Sequence, residues 1–189
     1  MKIVLASSSP DHLALLQLVG LEVRLIASSI DESLYVSTDP HERAQTVALA
    51  RARSVKDNYH NALVIGVETV AVYRNNIIGK PKFKMDALEI LASFSGTSHL
   101  IITGWGIYNT KTRQKFQGST ETRVTFRKLS RDLLTDYVNE QPVTQWPAGY
   151  QPLNSSAIGF IDKIEGSLAG FAYGLPVEQI LPIIQEQTL

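Results

Sequence analysis

Apolar residues along the chain alternate between short continuous runs and stretches of helical spacing. The most informative run is 63–81, LVIGVETVAVYRNNIIGKP. Residues 62–67 are apolar apart from Gly66, as suits a strand buried on both faces. Glu68 and Thr69 break the pattern, and 70–73 resume it. Arg74-Asn75-Asn76 reads as a hairpin turn, after which Ile77-Ile78 lead to Gly79-Lys80-Pro81. Such a hairpin returns Lys80 towards the level of Glu68. A carboxylate at the end of a buried strand is costly unless it is paired, metal-bound or facing a cleft. A salt bridge at a strand end is the simpler account of this stretch taken alone.

The flanking patterns predict alternating strands and helices. Residues 2–6 predict a buried strand, and 11–19 a helix with Ser9 as N-cap, Pro10 at the first helical position and Gly20 closing it. The Ser-rich turn between them offers hydroxyls and backbone N–H groups to an anion, although an ordinary capped helix is the simpler account of the turn taken alone. Residues 22–27 alternate as a strand. Asp31-Glu32 beyond it suits a divalent cation or a solvated loop. Asp39, with Glu42 three residues on, opens a helix to about Lys56 that carries Arg43, Arg51 and Arg53. Residues 85–94 form an amphipathic helix ended by Ser95-Gly96. An antiparallel ribbon is predicted at 99–108 and 117–126, and a helix capped by Ser130 runs through Asn139. Residues 141–156 are irregular, 157–164 predict another strand, and a last helix follows 170–176, with a kink expected at Pro182. The alternation predicts an α/β fold with a mixed sheet.

Composition narrows the function. The 189 residues suit one domain or two closely joined lobes. Lys+Arg and Asp+Glu are both 18, so no basic field exists for nucleic acid. Cysteine is absent, which excludes disulfides, thiol catalysis and Cys-based zinc sites. The four histidines, His12, His41, His60 and His99, lack metal-ligand spacing. No apolar run is long enough for a membrane, and MKIVLASSSP reads as a first strand rather than a signal peptide. A soluble, cytoplasmic protein without nucleic-acid or membrane partners is the expectation.

Several stretches together resemble the Maf family of nucleoside triphosphate pyrophosphatases. They are LASSSP at 5–10, IDE at 30–32, VIGVETV at 64–70, IIGKP at 77–81, DALEIL at 86–91 and FSGTSH at 94–99. ITG at 102–104, VTFRKLS at 124–130, DYV at 136–138, AG at 148–149 and GLP at 174–176 complete the set. Each is weak alone, but they stand in family order and near family spacing. The resemblance implies a single domain over 1–189 with an elongated two-lobed Maf/ITPase-like fold, a mixed central sheet flanked by helices and a cleft between the lobes. It implies a homodimer, and hydrolysis of a standard or modified nucleoside triphosphate to the monophosphate and pyrophosphate with Mg, Mn or Co.

That chemistry needs a water activated against the α-phosphorus and positive charge on the phosphates. The resemblance places the general base on Glu68, a second acid near the metal on Glu32, and a cleft lysine on Lys80. Glu32 and Glu68 are thus the implied metal ligands. Ser8 falls in the phosphate-contacting turn, and Arg51 keeps the charge of one of two lysines, the other matching Leu49. Asp11, Thr69 and Asn154 fall at specificity positions, Thr69 matching the pyrimidine-preferring branch. The chain departs from the family in having Glu68 for Asp, Asp11-His12 for a pair usually ending in Arg, and Trp146-Pro147 before Ala148-Gly149. The lost basic residues motivate an alternative, a catalytically impaired relative that binds nucleotides or a protein partner. Glu32, Glu68 and Lys80 are expected to converge on one cleft near the 7–9 turn.

Overall fold

A computed structural model describes residues 1–153 and 155–188, so Asn154 lies outside the described residues. Its strands are β1 (Lys2–Ala6), β2 (Val23–Ile26), β3 (Ala62–Tyr73), β4 (Asn76–Ile78), β5 (Ser98–Asn109), β6 (Lys115–Phe126) and β7 (Ile161–Gly166). They form one sheet of seven strands in the order β2-β1-β3-β5-β6-β7, with β4 on a second edge segment of β3. β1 runs parallel to β2 and β3, and the β3-β5, β5-β6 and β6-β7 pairs are antiparallel, so the sheet is mixed. The helices are α1 (Pro10–Leu18), α2 (Pro40–Ser54), α3 (Lys84–Phe94), α4 (Arg131–Glu140), α5 (Leu168–Tyr173) and α6 (Val177–Thr188).

β3 explains where the cleft falls. On one edge it pairs with β5 along its length, from Leu63 opposite Asn109 to Val72 opposite Leu100. Its other edge is shared. β1 covers 62–65 and β4 covers 71–73, which leaves 66–70 without a strand neighbour there among the described residues. The turn into β4 uses Arg74 and Asn75 at φ 49° and 64°, as a two-residue hairpin of the sheet's twist requires. The β3-β4 register pairs Ala71 with Ile78, and continuing it brings Lys80 opposite Thr69, next to Glu68.

Two apolar cores lie on one face of the sheet. One joins Leu5, Ile65, Val67 and Ile107 to Leu16 of α1 and Ile180 and Ile184 of α6. The other joins Ile101, Val124 and Phe126 to Leu91 and Phe94 of α3 and Leu134 and Tyr137 of α4. α2 lies on the opposite face. Its Ala44, Ala48 and Ala52 meet Gly66 and Gly104 backbone to backbone, and a Cβ on Gly66 would collide with the Ala48 carbonyl oxygen and stand 2.7 Å from Ala52 N. Asp39 starts α2 as expected, its Oδ1 accepting the His41 and Glu42 N–H groups at 2.8 and 3.2 Å. Glu42 closes no reciprocal box, because its carboxylate accepts the Ser37 hydroxyl instead.

Two expectations are corrected. Ser9 occupies the N-cap of α1 but makes no side-chain cap hydrogen bond. The strand expected at 157–164 begins later: Ser156–Phe160 is a 3-10 turn, which lets Arg127 N donate to Phe160 O at 2.9 Å and buries Ala157 and Phe160. The irregular 141–156 stretch contains the 3-10 turns Val143–Gln145 and Pro147–Gly149. α6 continues through Pro182.

Candidate active site

The open segment of β3 borders a cleft of about 310 Å³. Val67, Thr69 and Ile101 come from the sheet face that carries both cores, whereas Glu68 projects to the face covered by α2. Both faces reach one cleft because, among the described residues, no strand closes the edge between them. Glu32, Arg51, Glu68, Thr69 and Lys80 all line it, with Ser9 from the first strand-to-helix connection and Asp11 and His12 from the first turn of α1. The structure therefore brings Glu32, Glu68 and Lys80 together beside the 7–9 turn.

Arg51 organises the charges. Its Nη2 donates to Glu32 Oε1 at 2.6 Å and lies 2.6 Å from Glu68 Oε2. The side chains differ in exposure: 15% for Glu68, 23% for Arg51 and 47% for Glu32. Glu32 sits on a 3-10 turn, Glu32–Leu34, that Asp31 caps by accepting the Ser33 N–H and hydroxyl at 3.0 and 2.6 Å. Burial pushes the Glu68 carboxyl up to about 6, Glu32 adds to the rise, and Arg51, Arg43 and Lys80 oppose it. A carboxylate in that range suits proton abstraction near neutral pH. Lys80 follows Gly79, whose carbonyl accepts the Ala148 N–H at 3.0 Å, so the lysine loop is tied to the Pro147–Gly149 turn.

The serine turn works differently from its sequence reading. Ser7 is buried, and its hydroxyl accepts the Ser9 N–H at 3.0 Å and pairs with His12 Nδ1 at 2.9 Å. The lining takes Ser9 from this turn, while Ser8 is exposed to solvent. Burial lowers His12 to about 4, so His12 is neutral at physiological pH; the Asp11 charge and a backbone hydrogen bond with Tyr173 act against that fall, and Arg51 adds to it. His12 Nε2 also lies beside Gly174, which ends α5 at φ 66°. Thr69 shares that neighbourhood, and its Oγ1 is 3.3 Å from Thr103 Oγ1, which donates to Gly170 O at 2.9 Å.

Ile101, Gln145, Tyr150, Gln151 and Phe171 form an apolar and amide wall of the cleft, of which sequence reasoning missed Ile101, Gln145 and Phe171. Most of it comes from the long 141–156 stretch, whose length was the available signal. Tyr150 is fixed from behind by a 2.6 Å hydrogen bond to His99 Nε2, a contact across 51 residues that no local pattern announces.

The donor set fits a hard divalent cation. Glu32 and Glu68 present oxygens that share one nitrogen neighbour, and among the described residues no group of three or more His, Asp or Glu could hold a metal. Mg²⁺ characteristically uses one or two carboxylates and completes its shell with water and substrate phosphate. Among the described residues no helix is long and apolar enough to cross a membrane.

Comparison with known proteins bears on this arrangement. A family model described as Maf-like protein matches residues 2–187. A dTTP/UTP pyrophosphatase of Geobacillus sp. (strain WCH70) is 34% identical over 179 residues, 94% of each chain. Proteins of the same name from Citrifermentans bemidjiense and Bacillus anthracis are 30% identical over 186 residues and 31% over 181. They cover 97% and 95% of this chain, and 94% and 92% of their own.

Proposed function

This chain belongs to the Maf family, and from that premise we propose that it is a nucleoside triphosphate pyrophosphatase that prefers pyrimidine triphosphates such as dTTP and UTP. The observation that carries the reading is the convergence of Glu32, Glu68, Arg51 and Lys80 on one cleft. The shared name of the relatives and Thr69 in the lining support the pyrimidine preference.

The residues divide the reaction as follows. The triphosphate lies along the cleft with its α-phosphorus facing Glu68. Glu68 takes a proton from water as the water oxygen bonds to the α-phosphorus. The bond from that phosphorus to the oxygen bridging to the β-phosphorus breaks, and the electron pair leaves with pyrophosphate. Lys80 and Arg51 offset the charge on the phosphate oxygens. His12, uncharged at neutral pH, contributes hydrogen bonding rather than charge. A divalent ion held by Glu32 and Glu68, whether Mg, Mn or Co, would supply further charge neutralisation at the phosphates. The reading also carries a single domain over 1–189, supported by one sheet underlying both cores, together with a homodimer and a cytoplasmic site of action.

Pyrophosphate release from a panel of standard and modified triphosphates, with each of the three metals, tests the proposal. Turnover led by dTTP and UTP is the expected result. Absence of turnover throughout the panel overturns it, and nucleotide-induced thermal stabilisation without turnover would identify a binding protein instead.

A further inference from the structure

Arg51 stands where a bridging cation would stand. A single guanidinium nitrogen lies 2.6 Å from an oxygen of each carboxylate. A magnesium ion binds carboxylate oxygen at about 2.0–2.1 Å, so it and that nitrogen compete for the same two oxygens. An ion that bridges these two oxygens must displace Arg51, and an ion held by the other oxygen of either carboxylate sits beside the guanidinium at an electrostatic penalty.

We propose that Arg51 is the resident counter-ion of the Glu32–Glu68 pair, and that cation and triphosphate enter the cleft by exchanging for it. The divalent ion takes the two carboxylates, and the released guanidinium passes to the phosphates. This rests on the reading of the cleft as a triphosphate site. Arg51 is placed for the exchange. It lies in the last turn of α2, its side chain is partly exposed, and one of its partners sits on an exposed turn. Glu68 is fixed in β3 and nearly covered, so the guanidinium and Glu32 are the parts free to move. While Arg51 remains, Glu68 keeps a compensating charge, which a partly buried carboxylate beside Glu32 requires. Exchange couples the two ligands. Each removes an obstacle to the other, so each binds more tightly in the other's presence.

The test measures each ligand without the other. Free Mn²⁺ is followed by electron paramagnetic resonance against wild type and Arg51→Met without nucleotide. Binding of inorganic triphosphate in EDTA is measured on the same proteins by calorimetry. Arg51→Met is expected to hold Mn²⁺ on the order of tenfold or more tightly than wild type, since one competing charge has gone. It is also expected to bind inorganic triphosphate more weakly. Adding Glu32→Gln to Arg51→Met should abolish the Mn²⁺ gain. A merely structural role for Arg51 would weaken both ligands together, and that result overturns the exchange, as does Mn²⁺ affinity equal to wild type. If Arg51→Met does not fold, Arg51→Gln, which keeps reach and polarity, carries the same comparison. Neither measurement requires turnover. If wild type hydrolyses no triphosphate while the crossed change is found, the exchange stands and only the pyrophosphatase reading falls.

Discussion

Glu68 carries opposed demands at the scale of a single residue. It must be buried enough to hold a proton near neutrality and paired enough to remain in a cleft at all. Burial raises its pKa from 4.5 to about 6, above its unfolded value. Its contribution to stability is therefore full below pH 4.5 and is lost as pH rises through 6. Glu68→Gln should remove that loss. In EDTA at pH 8 the variant is expected to unfold with a free energy higher by about 2 kcal/mol, and at pH 4 to match wild type. Urea denaturation at the two pH values checks this. The same substitution removes the base, so pyrophosphate release should fall by about 10²–10⁴-fold. A variant that is at least as stable as wild type and nearly inactive would separate the two roles, whereas unchanged release would show that Glu68 is not the base. The carboxylate itself was legible as a polar residue breaking a buried run. Its partner was not, because Glu32, Arg51 and Glu68 come from a loop, a helix and a strand with no shared local pattern. Ser8 illustrates the same limit. A serine-rich turn announces available hydroxyls, but which of the three is buried depends on His12 folding back onto Ser7.

Between elements, the decisive contact is α2 against the sheet. Gly66, Gly104 and Gly106 remove side chains under the helix, so Ala44, Ala48 and Leu49 rest directly on strand backbone. That close approach sets how far Arg51 reaches over Glu68. Gly66→Ala must lift or shift α2, because its Cβ would strike helix backbone that no rotamer change can move. The variant is expected to lose about 2–3 kcal/mol of stability and most of its activity, read by urea denaturation and pyrophosphate release. Gly159→Ala, where a Cβ meets nothing within 4 Å, should change stability by no more than about 0.5 kcal/mol. Glycines inside strands are a readable sign of close backbone approach, so this part of the site was available in the sequence. The hairpin turn, the Asp39 cap and the ribbon of β5 and β6 were legible for similar local reasons. The start of β7 was not. The alternation around Ala157 satisfies a strand pattern, yet a 3-10 turn fits because Ala157 and Phe160 both point into the core that α4 covers.

At the scale of the molecule, one face of the sheet supports two cores, and the second carries a response to acid. His99 lies in the second core, stacked on Phe94 at 4.1 Å between ring centres and bonded to Tyr150. Burial holds its pKa near 3, well below the unfolded 6.5. The unfolded chain therefore binds a proton that the folded one refuses, and stability declines by up to about 1.4 kcal/mol per unit as pH falls from 6.5 towards 3. The double substitution His99→Phe with Tyr150→Phe removes both polar partners and should flatten that decline, measured as the difference from wild type in urea denaturation between pH 7 and 4. An unaltered slope would place the acid sensitivity elsewhere. The two cores share more than a boundary. β3 and β5 each run twelve residues and enter both, so neither half owns the strands that form its floor. For evolution this limits recombination. Halves of two relatives cannot be exchanged as finished parts, since any crossover within 62–73 or 98–109 joins strands shaped for different neighbours. On that geometry, new substrate preferences are expected to arise by replacing single residues along the cleft or by remodelling its loops rather than by exchanging halves cut within β3 or β5.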